Sequence, residues 1–192
     1  MTRVSLRPMT EKDSPQVHAW RNLPDVRRNM YTDHIITAEE HARWFPVALA
    51  ALDRRYWMIV CDGEAIGVAN LVDISARHQR CSWAFYLGPA DLRGKGIGRA
   101  VEFLVQREVF ETLGLRKLCC EVLDFNSAVI EMHLKLGFTR DGIQRAHIVK
   151  DTGSCDVHQL AMFDEDWHRL KAGFAEELAR RDLQVDPPAV VP

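Results

Sequence analysis

The spacing of apolar and polar residues along the chain predicts seven strands and five helices. Short apolar or alternating runs indicate strands at residues 4–7, 56–61, 65–72, 81–87, 117–123, 140–150 and 155–163. Apolar residues at helical spacing indicate helices at residues 11–22, 38–51, 97–113, 127–136 and 164–181. Meandering strands come first and strand–helix units follow. We therefore expect an α/β (α+β) domain with a mixed, mostly antiparallel sheet flanked by helices.

Capping residues mark where three of these helices begin. Thr37 and Glu40 form a capping box at the start of the second helix. Asn126 precedes the short fourth helix, and Asp164 precedes the last one. Both residue types accept hydrogen bonds from the free N–H groups of a helix start, so we expect each to act as an N-cap.

The third helix begins inside the most distinctive stretch of the chain, Leu92 to Arg99, which reads Leu-Arg-Gly-Lys-Gly-Ile-Gly-Arg. Alternate glycines let backbone N–H groups approach a ligand closely, and the helix start adds free donors and a positive dipole end. We therefore predict a phosphate or pyrophosphate site. A P-loop needs Ser or Thr after a Lys that follows its last glycine, and a dinucleotide fingerprint needs a third glycine where Arg99 stands. The alternative to a ligand site is a glycine-rich turn with solvated charges.

The helix that follows shows a simple division into two faces. Apolar side chains at helical spacing predict its buried face: Ile97, Val101, Leu104 and Val105. Arg99, Glu102 and Gln106 fall on the opposite face, which we expect to meet solvent.

Composition narrows the class of protein. The chain has 192 residues, 47% of them hydrophobic, and these numbers suit one domain over residues 1–183 with a disordered Pro-rich tail at 184–192. A net charge of −2 argues against nucleic acid as a partner, since such proteins usually carry a basic stripe. No apolar run reaches membrane-spanning length and no signal peptide is visible, so we expect no membrane association.

Five cysteines, an odd number without a C-x-x-C pair, suggest reduced thiols in a cytoplasmic protein. Cys119 and Cys120 are adjacent, which raises the idea of an acyl-cysteine intermediate. Strand alternation points them to opposite faces and no activating base adjoins them in sequence, so core packing is the favoured interpretation.

Two motifs in order resemble those of the GNAT superfamily of N-acetyltransferases. The first is the glycine stretch with its Arg-x-x-Gly-x-Gly pattern, from Arg93 to Gly98. The second begins at Asn126, continues with His133 seven residues later and ends in Gly137-Phe138. The resemblance implies a six- to seven-stranded sheet with a V-shaped splay between strands 81–87 and 117–123. It also implies acetyl-CoA as cosubstrate and no metal.

The family's acetyl-CoA site maps onto this chain through those motifs. The resemblance places the pantetheine arm along the strand that contains Phe85 and Leu87, and the pyrophosphate on the glycine stretch. The residues implied in acetyl-CoA binding are Phe85, Leu87, Arg93, Gly94, Lys95, Gly96, Ile97, Gly98, Arg99, Asn126 and Ser127.

Two residues are candidates for proton transfer. Glu121 is the only carboxylate in the strand 117–123, where it either removes the proton of the attacking amine or forms a structural ion pair. His133 stands where many relatives have a Tyr that acts as the acid toward the CoA thiolate. An imidazolium can donate the same proton. Alternatively, His133 is a surface residue and the acid role is lost.

The N-terminal half binds the acceptor in this family, and here it concentrates Arg, His and aromatic residues. Such residues suit a nucleotide, although they also suit surface charge over an aromatic core. The stretch from Trp20 to Phe45 resembles the N-acetyltransferases of pseudaminic acid biosynthesis. These enzymes acetylate the 4-amino group of a UDP-linked amino-deoxy sugar for flagellin glycosylation. This subfamily implies a cytoplasmic enzyme with a small-molecule substrate, and a homodimer is a further expectation. It assigns substrate contacts to Arg21, Met30, His41 and Tyr86.

Two other functions compete with this interpretation. An N-terminal acetyltransferase of ribosomal proteins would need an open, often acidic peptide groove, which the Arg-rich N-terminal half argues against. A non-catalytic acyl-CoA-binding module would keep the fold and lose the chemistry, and a His in place of Tyr keeps that alternative open.

Overall fold

A computed structural model of the chain describes residues 1–89, 92 and 94–186. The predicted ligand residue Arg93 and residues 187–192 of the predicted tail lie outside the described residues.

The elements follow the predicted order closely. The strands are β1 (Thr2–Pro8), β2 (Arg55–Cys61), β3 (Glu64–Ser75), β4 (Arg80–Leu87), β5 (Lys117–Leu123), β6 (Thr139–Lys150), β7 (Gly153–Phe163) and β8 (Leu183–Val185). The α-helices are α1 (Ser14–Arg21), α2 (Pro24–Arg27), α3 (Ala38–Ala50), α4 (Ile97–Arg107), α5 (Ser127–Lys135) and α6 (Asp164–Arg180). A 3₁₀ turn at Glu11–Asp13 precedes α1, and a π-helical turn at Glu108–Thr112 extends α4. The four-residue α2 was not predicted.

All eight strands form one sheet in the order β6-β7-β5-β4-β3-β2-β1-β8. Neighbours are antiparallel except for the pairs β4–β5 and β1–β8. The parallel β4–β5 ladder has only three residue pairs, from Arg80–Lys117 to Ser82–Cys119, and then the two strands diverge. The predicted fold class and its V-shaped splay are confirmed.

The sheet has one strand more than the seven that were predicted. Leu183–Val185 pairs in parallel with Thr2–Val4 and forms β8 at the sheet edge. The predicted tail boundary at residue 184 is therefore wrong, because Gln184 and Val185 belong to this strand. A three-residue strand carries too little apolar pattern to be found without its partner.

The two faces of the sheet bury separate cores. The larger core packs α4, α5 and α6 on one face and includes Trp57, Leu104, Leu118 and Trp167. The smaller core lies under α1 and α3 on the other face, around Met9, Val17, Trp20, Phe45, Met58 and Val68.

The predicted polar face of α4 is wrong for two of its three residues. Glu102 and Gln106 are fully buried, because α5 and the turn after it cover that side of the helix. Gln106 Nε2 donates a 3.1 Å hydrogen bond to the carbonyl of Leu136 there. Arg99, near the start of α4, remains partly exposed as expected.

Of the three predicted helix caps, one is present with its side-chain hydrogen bond and two are not. The capping box at Thr37 is present, with Glu40 N–H donating to Thr37 Oγ1 at 3.2 Å. Asp164 is the first residue of α6 and Phe163 occupies the N-cap position, so that assignment is wrong by one residue. Asn126 precedes α5, but its side chain makes no capping hydrogen bond.

All five cysteines are free thiols, and Cys119 is half-buried while Cys120 is buried, as their alternation predicts. Among the described residues, no helix combines the length and the apolar character needed to cross a bilayer.

Candidate active site

A cavity of about 620 Å³ passes through the splay between β4 and β5. The diverging strands form two walls, residues 83–87 of β4 and residues 120–123 of β5. The start of α4 forms the floor, and α5 closes the remaining side. Along this wall β4 is paired with β3 on one edge only, so the backbone groups on the edge that faces β5 are free to bond a ligand.

The glycine stretch has the conformation that a diphosphate cradle needs. Gly94 and Gly96 both line the cavity with left-handed backbones, at φ +79° and +81°. Gly96 is the N-cap of α4, so the N–H groups of Ile97 and Gly98 have no partner within the helix, whereas Arg99 N–H donates to the Gly96 carbonyl at 3.0 Å. These donors and the positive end of the helix dipole suit a phosphate anion.

Gly98 serves a different purpose. Its backbone is helical, and an added Cβ would lie 3.2 Å from Met132 Sδ and 3.3 Å from Phe85 Cζ. Gly98 therefore lets α4 pack closely against α5 and β4.

Two arginines bring positive charge to the same cavity. Arg99 Nη1 and Arg181 Nη2 lie 3.2 and 3.0 Å from the same oxygen of Glu177 on α6. Both guanidinium groups line the cavity. Arg181 follows the last helix and was not predicted, because nothing in the sequence indicates that the end of α6 reaches the start of α4.

The predicted acetyl-CoA residues do not all reach the cavity. Those that line it are Phe85, Leu87, Gly94, Gly96, Ile97, Gly98, Arg99 and Asn126. Lys95 and Ser127 are exposed and lie outside its lining.

Glu121 and His133 enter this cavity from opposite faces of the sheet. Strand alternation places Glu121 on the face opposite to Cys120, and Cys120 contacts His133. The carboxylate therefore comes from the side of α1 and α3, and the imidazole from the side of α4 and α5. A thioester held in the splay would lie between a base and an acid.

Glu121 is solvent-exposed and bonded to neutral groups. Its Oε2 accepts a 2.6 Å hydrogen bond from Tyr31 Oη, and its Oε1 accepts a 3.3 Å bond from Gln159 Nε2. Among the described residues no cation lies within ion-pair distance, which removes the main argument for a structural ion pair. Tyr31 lies between α2 and α3, so it belongs to the N-terminal part that we expect to bind the acceptor.

His133 is buried, with 3% of its surface exposed, so the surface-residue alternative is wrong. Its Nδ1 lies 3.0 Å from Oε2 of the buried Glu102. Burial lowers the pKa of His133, but the neighbouring Glu102 carboxylate outweighs it and raises the pKa to about 10, while burial raises the pKa of Glu102 itself. The Glu102 carboxylate thus favours the imidazolium form of His133, and His133 lines the cavity.

Cys120 also lines the cavity beside His133, a proximity that the sequence did not reveal. Burial raises the pKa of its thiol and outweighs the neighbouring His133, which lowers it, while the carboxylates of Glu102 and Glu121 add smaller raising effects. The structure therefore holds Cys120 as a neutral thiol, which is a weak nucleophile.

A second cavity, of about 400 Å³, lies on the face of the sheet that α1 and α3 cover. All four predicted substrate residues line it: Arg21, Met30, His41 and Tyr86. Phe85, Met30 and Tyr86 also line the first cavity, so the two cavities meet at β4.

Arg21 brings an unsatisfied cation to the second cavity. Its Nη2 donates to the carbonyl of Thr32 at 2.8 Å, whereas its Nη1 is buried without a hydrogen-bond partner. Burial lowers the pKa of this guanidinium, which nevertheless stays charged at neutral pH. A buried donor without a partner costs about 1–3 kcal/mol, and an anionic ligand would relieve that cost.

His41 contributes an aromatic wall without a charge. Its Nε2 lies 3.0 Å from Ser14 Oγ, and its ring packs against His18, Trp44 and Phe45. Burial lowers the pKa of His41, so the ring is neutral at pH 7.

Comparison with known proteins identifies the family. The model of the acetyltransferase (GNAT) domain matches residues 3–139, which include the splayed strands and the glycine stretch. The chain belongs to the GNAT family. This GNAT enzyme is an acetyl-CoA-dependent N-acetyltransferase, as its relatives and structural neighbours are.

Two curated relatives of this GNAT enzyme are similarly distant from it. Spermidine N(1)-acetyltransferase of Escherichia coli K12 is 29% identical over 139 residues, which cover 72% of this chain and 74% of the relative. Acetyltransferase PseH of Campylobacter jejuni serotype O:2 is 28% identical over 139 residues, which cover 71% of this chain and 85% of the relative.

Among solved structures, the spermidine N-acetyltransferase of Vibrio cholerae in complex with CoA and spermine superimposes with a TM-score of 0.81. The match covers 86% of this chain and 98% of that structure at 16% identity. It shows that the fold is shared.

Sequence reasoning missed three residues that shape the GNAT site: Glu102, Tyr31 and Arg181. Glu102 looked like a solvent-facing residue of an amphipathic helix. The only signal of its burial was the apolar residues on either side of it. Tyr31 reaches Glu121 across 90 residues of sequence, and no local pattern indicates that contact.

Proposed function

We propose that this GNAT enzyme transfers the acetyl group of acetyl-CoA to the primary amine of a nucleotide-linked amino sugar. A UDP-linked 4-amino-deoxy sugar of pseudaminic acid biosynthesis is the specific acceptor that we favour. The observation that carries the proposal is the buried, unpartnered Nη1 of Arg21 in the second cavity. A cation in that position suits the diphosphate of a sugar nucleotide, through charge-assisted hydrogen bonds.

Aromatic rings beside Arg21 suit the base of a nucleotide. Trp44 and Tyr56 line the same cavity with their rings edge to face, 5.7 Å apart. Trp44 keeps 38% of its surface exposed, so part of the ring remains free to stack. Together these groups offer a cation for phosphate and a flat apolar face for the base.

A polyamine is the second candidate acceptor. Asp25, Glu121 and Glu131 line the splay cavity, where carboxylates would attract ammonium groups. The similarity to spermidine N(1)-acetyltransferase also favours it. A polyamine that entered the second cavity, however, would bring cations beside Arg21, and such like-charge contacts oppose binding. The anionic acceptor therefore fits the described charges better.

The splay would organise the acetyl transfer in the following way. The open edge of β4 would bond the amides of the pantetheine arm, and the first turn of α4 would bind the pyrophosphate. Glu121 would accept the proton of the attacking amine, directly or through water. The amine nitrogen bonds to the thioester carbon, the carbon–sulfur bond breaks, and the imidazolium of His133 would give its proton to the sulfur.

The test combines ligand binding with one substitution. UDP should raise the melting temperature of the protein, and spermidine should not. Replacing Arg21 by Met should raise the KM of a UDP-amino sugar by roughly tenfold or more, because a charge-assisted contact contributes about 1.5–3 kcal/mol. The KM of acetyl-CoA should stay unchanged.

Arg54→Met provides the matched control, because Arg54 pairs with Asp53 at the surface and lines neither cavity. If spermidine stabilises the protein and is acetylated while UDP has no effect, the polyamine acceptor replaces the sugar nucleotide.

A further inference from the structure

A carboxylate that the proposed chemistry does not yet use lies against the proposed acid. Glu102 is in the middle of α4 with none of its surface exposed, and its Oε2 lies 3.0 Å from His133 Nδ1. The two side chains are 0% and 4% exposed. A buried ion pair is a poor source of stability, because the desolvation of both charges offsets most of their attraction. One partner of the pair, His133, lines the reaction cavity, and this position points to a chemical role.

Charged, titratable and aromatic groups from several elements surround the Glu102–His133 pair. From α4, Gln106 Nε2 lies 3.4 Å from Glu102 Oε1, and Arg99 adds a favourable charge. From β5, Cys120 contacts His133, and Glu121 acts on Cys120 from the other face. The rings of Trp83 and Phe138 pack against the imidazole with centroids 5.4 and 5.3 Å away. Glu102 is therefore the one carboxylate among the described residues that bonds the imidazole.

We propose that Glu102 is a positioning residue that fixes the orientation of His133 and keeps it protonated, so that Nε2–H is the donor toward the departing CoA thiolate. This inference rests on the proposed function. Because Nδ1 is occupied by Glu102, Nε2 is the ring nitrogen that this carboxylate leaves available, and His133 and its other neighbour Cys120 both line the cavity. After transfer the neutral imidazole regains a proton from water, which balances the proton that the amine gave to Glu121.

The consequence is a proton donor that stays protonated at pH values well above the ordinary pKa of histidine. With Glu102 in place the pKa of His133 is about 10, so the imidazolium persists through pH 8. Without the carboxylate, and with Cys120 a neutral thiol, burial would hold the pKa of His133 at or below its ordinary value of about 6.5. At pH 8 a group with that pKa is only about 3% protonated, so kcat should fall roughly 30-fold or more if His133 is the acid.

The experiment compares Glu102→Gln with wild type by two measurements. NMR titration of the His133 imidazole, assigned by its absence in His133→Phe, should give a pKa near 10 in wild type and about 6.5 or lower in the variant. The alkaline limb of the kcat profile should move to lower pH by the same amount, while the KM of acetyl-CoA stays within twofold. Glu102→Asp should restore part of the shift.

Glu108→Gln is the matched control. Glu108 is a buried carboxylate at the end of the same helix, it pairs with Arg55, and it lines neither cavity. Its loss should lower the melting temperature and leave both the His133 titration and the pH profile unchanged.

Either of two results would overturn the inference. One is a wild-type His133 that titrates at or below pH 6.5, which needs no variant and remains measurable if Glu102→Gln fails to fold. The other is a Glu102→Gln profile that superimposes on that of wild type. If wild type acetylates no amine, the proposed function fails, and the NMR titration still decides whether Glu102 controls the protonation of His133.

Discussion

Replacing Lys150 by Met should weaken acceptor binding without changing acetyl-CoA binding. Lys150 lies at the end of β6, with 5% of its side chain exposed, and its Nζ donates a 2.6 Å hydrogen bond to the carbonyl of Met30. That carbonyl belongs to the segment 28–37, between α2 and α3, which supplies Met30 to both cavities and Tyr31 to Glu121. One buried ammonium therefore ties the acceptor-side segment to the β6–β7 hairpin.

The magnitude follows from the two contacts of the ammonium group. A hydrogen bond from a charged donor contributes about 1.5–3 kcal/mol. The second contact, 3.4 Å to Asp33 Oδ2, involves a carboxylate that is 39% exposed and contributes little after solvent screening. Met fills a similar volume, so packing is retained. Since binding the acceptor would then have to order the segment, the acceptor KM should rise by up to roughly 10- to 150-fold.

The assay is steady-state kinetics together with hydrogen exchange of residues 28–37. The variant should exchange faster in this segment, and its KM for acetyl-CoA should match that of wild type. Lys117→Met is the control, because Lys117 forms a comparable ion pair with Asp141, at 2.5 Å, and lines neither cavity. Unchanged acceptor KM and unchanged exchange in Lys150→Met would refute the reasoning.

Two further predictions address the base and the stability of the N-terminal strand. Glu121→Gln should lower kcat roughly 10²-fold or more at pH 7 with an unchanged KM for acetyl-CoA, since general bases contribute about 10²–10⁴-fold, and an unaltered kcat would exclude the role. The two hydrogen bonds from Arg7 lower the pKa of Asp13 from 3.8 to about 2. A depressed native pKa stabilises the fold above about pH 4 and loses that effect as the pH falls toward 2. Urea unfolding should therefore show Asp13→Asn less stable by about 1–2 kcal/mol at pH 7, with the difference absent at pH 2.

Local patterns predicted the elements of this fold because each strand and helix carries its own periodicity. The strand at 117–123 was predicted with the bounds that the structure shows, since an apolar run with a clear start and end needs no distant information. The short α2 and β8 lack such runs, at four and three residues. The parallel pairing of β8 with β1 joins residues about 180 positions apart, and this contact exists only in the folded chain.

Local pattern alone predicted the site only where one short segment builds it, whereas the four residues of the second cavity were predicted from the family resemblance. The glycines at 94 and 96 occupy left-handed conformations within a single loop, so their pattern alone indicated the cradle. The polar face of α4 misled the prediction, because a periodicity argument assigns Glu102 to solvent unless a distant partner is known. That partner, His133, is 31 residues away on a helix whose docking cannot be deduced from the spacing of its residues.

The splay explains how the proposed acetyl-CoA site and the side chains proposed as base and acid, Glu121 and His133, come together. Where β4 and β5 separate after three residue pairs, the β5-facing edge of residues 83–87 loses its ladder hydrogen bonds, although the other edge stays paired with β3. Unpaired backbone groups at a buried edge are costly, so a ligand with amide groups gains affinity by replacing the missing strand. The same opening connects the two faces of the sheet. Only there can Glu121 from the acceptor side and His133 from the α4 side approach one thioester, and an unbroken β4–β5 ladder would separate them by the thickness of the sheet.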